Sequence, residues 1–196
     1  MKSKRTLSRS MDRLVGELRT LIQSSRQQVL RAVDAIHVRT CWEIGRHIVE
    51  FEQGGAARAQ YGEKLLPRLA EVLTAEFGKG FDDRNLWNMC AFYRGFPILN
   101  ALRPELSWTH YRLLLRVEHP EARDWYMNEA AEQNWSTRAL ERQIGTLYYE
   151  RLLASKDRKS VMAEAKEKTA GANRSPREFV RDPVMLESRG HRMYGS

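Results

Sequence analysis

Long apolar runs and secretion signals are missing from this sequence. None of its 196 residues belong to an apolar run of 18 or more, the length that a membrane-spanning helix requires. The N-terminus is basic, but no unbroken apolar stretch with a small-residue cleavage site follows it. Cysteine is scarce, and Cys41 and Cys90 both lie in apolar periodic segments. This placement predicts two small buried side chains that stay reduced, as is usual in a reducing compartment. We therefore expect a cytoplasmic protein without a membrane partner.

The motifs of metal, nucleotide and acyl-transfer sites are missing as well. The five histidines and two cysteines form no HExxH or CxxC pattern, and no GxSxG or Walker loop occurs. The segment 78–80, Gly-Lys-Gly, is too short to hold a phosphate and fits a helix end. Glu164-Ala165-Lys166 matches half of a PD-(D/E)XK nuclease site, but its Ala/Glu/Lys-rich surroundings predict a helix, not the required strand pair. The sequence thus predicts no catalytic residue, metal ligand or cofactor.

The positive charge of the chain is concentrated at its two ends. The net charge is +8, of which residues 1–31 carry +6 and residues 154–196 carry +4, whereas residues 32–153 carry −2. A basic chain favours a polyanionic partner through counterion release. Here that argument supports basic arms around an electrically balanced body.

The apolar residues recur at intervals of three and four, which predicts an all-α fold without a sheet. Residues 11–52 carry this pattern throughout and are expected to form two consecutive helices or one long bent helix. The stripe on 11–52 could pack onto the rest of the domain or pair two chains as a coiled coil. A last strong helix is predicted over 136–151, with Leu147 inside. All five tryptophans are expected in the core or between helices.

Two helix pairs have the spacing of a helix-turn-helix motif. The first joins helices 62–76 and 83–94, and the second joins helices 120–133 and 136–151. Arg and Asn near the start of the second helix of such a motif suit phosphate contacts and base reading. The alternative is an ordinary bundle corner with solvated polar residues. The candidate DNA contacts are Arg84, Asn85 and Asn88 in the first pair and Thr137, Arg138 and Arg142 in the second.

Five linked segments resemble the N-terminal domain of YhcG-type proteins, a family of unknown function. They are Cys41–Arg46, Ala57–Gly62, Glu76–Phe81 with Asn85 and Leu86, Leu106–Tyr111, and Asn134–Ile144. In that family a PD-(D/E)XK nuclease domain follows the helical domain, so the resemblance implies a targeting or regulatory module of a nuclease. The sequence departs from the family pattern at Cys41, where a tyrosine is usual. The segment Phe179–Glu187 resembles the junction into the nuclease, and we expect the nuclease itself to be absent.

These observations predict a multi-helix domain with a long N-terminal helical segment and a mobile basic C-terminal tail. The expected division is a basic arm at 1–10, a helical domain at 11–155 and a charged linker at 156–196, truncated before a nuclease. The expected function is non-catalytic DNA binding that targets a nuclease. The alternative is a protein-interaction or oligomerisation module. The expected partners are DNA, a nuclease domain or partner protein, and a second copy bound through residues 11–52.

Overall fold

The computed structural model describes residues 2–54 and 64–169, and those residues form helices joined by turns, without a strand. The all-α prediction is therefore confirmed. A 3-10 turn at Leu99–Ala101 lies between the third and fourth helices. The eight α-helices of the described residues are α1 Lys2–Gln53, α2 Leu65–Phe77, α3 Asp83–Gly95, α4 Trp108–Leu114, α5 Pro120–Glu132, α6 Thr137–Gly145, α7 Tyr148–Ala154 and α8 Arg158–Thr169.

Helix α1 is one uninterrupted helix with two different environments. At 52 residues it is about 78 Å long. Every residue from Ser10 to Val29 is exposed, whereas Val38, Cys41, Trp42 and Val49 are buried against the rest of the domain. Helix α3 makes the most extensive packing with this second part. The predicted packing of the apolar stripe onto the domain therefore holds only after about residue 37.

Gly45 allows α1 and α3 to approach closely. A Cβ atom at this position would overlap the carbonyl group of Met89 in α3. Gly16, in the exposed part of the same helix, has nothing within 4 Å of its would-be Cβ. The glycine at 45 is therefore required by a backbone contact, and the glycine at 16 is not.

Aromatic side chains form the centre of the core. Phe92 contacts Trp108 and Tyr111 with ring centroids 5.3 and 4.8 Å apart, and Phe96 contacts Tyr111 edge-on. Trp42 of α1 joins them by donating from Nε1 to the carbonyl oxygen of Phe96 at 2.7 Å. Burial raises the pKa of the Tyr111 hydroxyl above its usual range. The core thus ties α1, α3 and α4 together.

The predicted helix ends are largely confirmed because they depend on local chemistry. Helix α2 ends at Gly78, whose positive φ of 85° suits glycine. Pro67 lies in the first turn of α2, where its missing N–H costs little. Pro120 is the first residue of α5, as predicted. Helix α5 is terminated by Asn134, which adopts the left-handed conformation with φ 52°. The N–H of Trp135 then donates to Ala130 O at 2.9 Å.

Two predictions about the C-terminal half and the tryptophans are wrong. The predicted helix 136–151 is split, and Leu147 adopts φ 52° and is exposed rather than buried. The cause is the Tyr126 hydroxyl, which donates to Gln143 O at 3.3 Å and accepts from the Tyr149 N–H at 3.0 Å. A side chain inserted at this point replaces the helical hydrogen bonds. Trp87 is 57% exposed, because it faces outward from α3.

Helix α8 continues the packed body beyond the region of strong apolar periodicity. Its Ala165 is buried, and the side-chain amide of Gln143 in α6 donates to the Ala165 carbonyl oxygen at 3.2 Å. The predicted arm at 1–10 is continuous with α1 from Lys2 onward. The predicted mobile tail lies outside the described residues from 170 onward, and the division into three segments stays a prediction.

Candidate nucleic-acid interface

Each of the two candidate recognition helices begins with a side-chain cap. The Asp82 carboxylate accepts from the Asn85 N–H at 2.9 Å at the start of α3. The Ser136 hydroxyl accepts from the Ala139 N–H at 3.2 Å at the start of α6. Caps of this kind satisfy the otherwise unpaired N–H groups of a first turn. Arg84 and Arg138 are consequently both the second residue of a well-defined helix.

The first turn of α4 connects the starts of α3 and α6. Trp108 Nε1 donates to Asn85 Oδ1 at 3.2 Å in α3. His110 contacts the carbonyl oxygen of Trp135, just before α6, through Nε2 at 3.1 Å. Its Nδ1 accepts from the Ser107 N–H at 3.2 Å, which makes Nε2 the protonated nitrogen of a neutral ring. A buried hydrogen-bonded network therefore fixes the positions of three helix starts.

Asn85 belongs to this network and not to an exposed surface. It is 9% exposed, and its Nδ2 donates to Gly80 O at 2.5 Å while its Oδ1 accepts from Trp108. The prediction that Asn85 contacts DNA is therefore corrected, because its side chain is engaged inside the fold. The sequence could not show this, since the bond partner Trp108 lies 23 positions away.

The outer face of α3 carries Arg84, Trp87 and Asn88. Arg84 and Trp87 are exposed, and Asn88 is half-buried. The three positions follow the i, i+3, i+4 spacing of one helix face. Sequence reasoning placed Trp87 in the core, because a tryptophan among apolar residues is usually buried. An exposed tryptophan next to an arginine offers a flat ring and a cation on one surface. Asp82 and Asp83 are exposed at the start of the same helix and offset its charge.

The outer face of α6 is more basic. Arg138 and Arg142 are exposed one turn apart, and Thr137 is half-buried beside them. Glu141 lies between the two arginines and pairs at 3.4 Å with Arg116, which follows the end of α4. Arg112 of α4, also exposed, lies four positions before Arg116. We call these residues, Arg112, Arg116, Arg138, Glu141 and Arg142, the α4–α6 basic surface.

The sequence predicts only Arg138 and Arg142 of the four arginines of this surface. The apolar pattern from Trp108 onward predicts buried residues and does not point to Arg112 and Arg116. The spacing of four does not place them on one helix face, since Arg112 lies in α4 and Arg116 in the turn after it. The pairing of Arg116 with Glu141 joins residues 25 positions apart in sequence, and no local pattern predicts it.

No alternative catalytic or metal site emerges in the described part of the chain. Within residues 2–54 and 64–169, no three His, Cys, Asp or Glu side chains come close enough to hold a metal ion. Glu164 of the E-x-K tripeptide lies on helix α8, as its composition predicted, and pairs with Arg151. Burial raises the pKa of the Cys90 thiol to about 11, which opposes formation of a nucleophilic thiolate. None of the described helices is long and apolar enough to cross a membrane.

Comparison with known proteins places this chain in a family. The family model of the DUF1016 N-terminal domain matches residues 17–151. A curated relative from Escherichia coli K12, named "Putative nuclease YhcG", is 35% identical over 199 aligned positions, covering 85% of this chain. The chain spans 52% of that relative's length. No solved structure matches. The chain therefore belongs to the family of proteins with a DUF1016 N-terminal domain, of which the YhcG-type proteins are members.

Proposed function

We propose that this chain is a non-catalytic DNA-binding module that positions a PD-(D/E)XK nuclease on its substrate. The observation that carries the proposal is the α4–α6 basic surface, which comprises four exposed arginines and one exposed glutamate, with Arg116 paired to Glu141. Exposed guanidinium groups on the first two turns of a helix can contact phosphates and read guanine edges. The name of the Escherichia coli relative gives the nuclease context, and the chain spans 52% of that relative.

The charge balance of this surface is what favours DNA over a random solvated face. Residues 32–153 are net −2 overall, yet the α4–α6 basic surface alone is +3. Glu141 is paired with Arg116 across 3.4 Å, so its repulsion of a phosphate is reduced. Arg84 with Trp87 and Asn88 on α3 forms a second, less basic contact region. The Thr137 side chain lies beside Arg138 and is a candidate phosphate contact.

The proposal is tested by measuring binding of a labelled 20-base-pair duplex to the full chain across a salt series. The variant Arg138→Ala/Arg142→Ala should weaken binding by about 1–3 kcal/mol for each arginine that reads a base edge. The log–log salt slope should fall by roughly 0.9 for each phosphate that the variant no longer neutralises. Glu141→Gln should strengthen binding, because it removes the acid from the same face. Arg94→Ala is the matched control, since Arg94 is exposed but pairs with Glu52 at the far end of α3.

The DNA-binding proposal is wrong if the double variant binds with the affinity and salt slope of the unmodified chain. It is also wrong if Arg94→Ala weakens binding as much as a change of one arginine on α6. In both cases attraction would come from overall charge and not from the α4–α6 basic surface.

The absence of catalysis is part of the proposal and has its own test. A PD-(D/E)XK site needs an Asp and a Glu on adjacent strands to hold a divalent ion. Glu164 lies on a helix and pairs with Arg151 instead. We expect the pure chain to leave plasmid DNA intact in Mg²⁺ or Mn²⁺. Cleavage that Glu164→Ala abolishes would overturn this part of the proposal.

The alternative function is protein interaction, and a different observation supports it. The first part of α1 exposes large apolar side chains that nothing in the described chain covers. Such a surface fits a protein partner better than a polyanion. DNA binding through α6 and protein binding through α1 use separate surfaces, so the two functions are compatible.

A further inference from the structure

The first part of α1 is an apolar helix without a partner in the described chain. We call residues 11–36 the N-terminal stripe segment. Leu30 is half-buried, but the other nine large apolar side chains are all more than one third exposed, from 37% at Val15 to 63% at Val29. They are Met11, Leu14, Val15, Leu18, Leu21, Ile22, Val29, Val33 and Ile36. Helices in proteins owe most of their stability to the packing of such a face, so a lone segment of this kind is marginal in water.

This apolar stripe points away from the domain to which α1 belongs. Successive residues of an α-helix are rotated by about 100°, so Gly45 lies on the opposite side of the helix from Ile36, nine positions earlier. Ile36 is 61% exposed, while Gly45 is buried against α3. The buried residues Cys41 and Ile48 flank Gly45 on its side of the helix. The domain therefore cannot cover the stripe without a break in α1, and the structure shows none.

The stripe has the seven-residue repeat of a coiled coil. Val15, Ile22, Val29 and Ile36 are spaced by seven and occupy one seam position, called a, and all four are β-branched. The other seam position, d, holds the residues Met11, Leu18, Ser25 and Ala32. Within parallel coiled coils, β-branched residues at a with Leu at d favour two strands, and here d carries a leucine at position 18. Continued past residue 36, the same repeat would place Arg39 at d and Glu43 at a, so the seam ends where the domain begins.

The size of the stripe matches what a dimer needs. Burying a half-exposed Val, Leu or Ile side chain removes roughly 50 Å² of apolar surface. Nine such side chains on each of two chains bury on the order of 1,000 Å², where specific interfaces begin. The segment spans nearly four heptads, about 39 Å, which is enough for a coiled coil.

The charges beside the seam select the parallel arrangement. In antiparallel pairs the positions that follow d lie opposite each other, and Arg19 and Arg26 occupy two of them. The fully overlapping antiparallel register would therefore place Arg19 of each chain against Arg26 of the other. In a parallel pair these arginines lie opposite positions 14 and 21 of the other chain, which are both leucine. Parallel pairing thus avoids repulsion and covers the leucines with arginine stems.

From these observations we infer that residues 11–36 bind the same segment of a second copy of this chain as a parallel two-stranded coiled coil. The pairing is isologous, so one stripe serves both partners. It leaves the opposite face of α1 free to pack within each domain. It is independent of the DNA-binding proposal, because no residue of the α4–α6 basic surface takes part.

The test measures the mass of the full chain without DNA by light scattering and sedimentation from 1 to 100 µM. The unmodified chain should be a dimer. Ile22→Glu should raise the dissociation constant at least about 100-fold, because it places a charge at a buried seam position of both chains. Gln27→Glu is the matched control, more than one turn further along and about 140° around the helix from Ile22, and it should leave the dimer intact. Tryptophan fluorescence checks that both variants keep the packed body folded, since 10–36 contains no tryptophan.

The orientation is tested by disulfide formation. Met11→Cys should cross-link two copies on mild oxidation, because equivalent d positions meet in a parallel pair. Cys41 and Cys90 are buried and should not compete. A mixture of the Met11→Cys and Ile36→Cys variants should give no mixed disulfide, since the two positions are about 37 Å apart along a parallel pair.

Four results would overturn the inference. If the chain is a monomer at 100 µM and the amides of residues 11–36 exchange rapidly with solvent, no second copy binds the stripe. If the chain is a monomer and these amides are protected from hydrogen exchange, another part of the same chain covers the stripe. A dimer that Ile22→Glu leaves intact uses a different surface. A mixed disulfide between positions 11 and 36 shows an antiparallel pair.

Discussion

The two parts of α1 show how one helix can carry two apolar faces for two purposes. Residues 38–49 bury their apolar side chains against α3, with Gly45 letting the backbones meet. Residues 11–36 place theirs on the opposite side, where the described domain has nothing to receive them. Apolar periodicity alone looks continuous across both parts. The change of side near residue 37 is what separates a core helix from an interaction arm.

The largest effect should come from breaking the packed part alone. Trp108→Ala should lower the free energy of unfolding by about 3–5 kcal/mol, since the side chain is 1% exposed and its removal also leaves Asn85 Oδ1 unpaired. Urea unfolding followed by fluorescence measures it. Trp87→Ala is the control, because Trp87 is 57% exposed and should cost under about 1 kcal/mol. A small effect of Trp108→Ala would place Trp108 at the surface and contradict the core described above.

A slightly smaller effect should follow from adding one methyl group where α1 meets α3. Gly45→Ala should cost about 3 kcal/mol, because the new Cβ would overlap the Met89 carbonyl and the helices must separate. The change in denaturation midpoint at constant m-value reports it. If Gly45→Ala is as stable as the unmodified chain, the close backbone contact does not exist in solution.

Alkaline pH should weaken the packed part and leave the stripe segment unchanged. Burial raises the pKa of Cys90 to about 11 and of Tyr126 to about 12. The unfolded chain ionises first as pH rises, so stability should fall from about pH 9 upward. Cys90→Ala should reduce the fall in stability between about pH 9 and 11. Residues 10–36 contain no Cys, Tyr or Lys, so their helical signal should not titrate there. An equal loss of stability in the packed part and in the N-terminal stripe segment would contradict the prediction that only the packed part titrates.

The smallest effect should have the opposite sign. Gly16→Ala should stabilise α1 by about 0.5–1 kcal/mol, because alanine favours a helix and nothing lies within 4 Å of the new Cβ. Circular dichroism measured during thermal unfolding should show the gain. A destabilising result would mean that the outer side of the N-terminal stripe segment is also covered in solution.

The sequence predicts those features of this molecule that depend on neighbouring residues. The helix starts at residues 83 and 120 are predicted because the chemistry that begins a helix joins residues a few positions apart. The break at Leu147 was not, because it depends on the Tyr126 hydroxyl from another helix. Five of the six candidate DNA-binding residues stay predictions, and Asn85 is excluded by its hydrogen bond with Trp108.

The orientation of the N-terminal stripe is the other feature that the sequence left open. Its heptad spacing allowed both packing onto the domain and pairing with a second chain. The decision needs the position of the core relative to Gly45, which only the fold supplies. The same holds for Arg116, whose place beside Glu141 follows from the packing of α4 on α6.

Hydrogen exchange along α1 at several protein concentrations tests the two-faced helix most directly. Amides of residues 38–53 should be equally protected at 1 and 100 µM, because the domain itself covers them. Protection of residues 11–36 should rise with concentration in the unmodified chain and in Gln27→Glu, and should disappear in Ile22→Glu. Protection of 11–36 that is independent of concentration, or that survives Ile22→Glu, would contradict pairing through the exposed face.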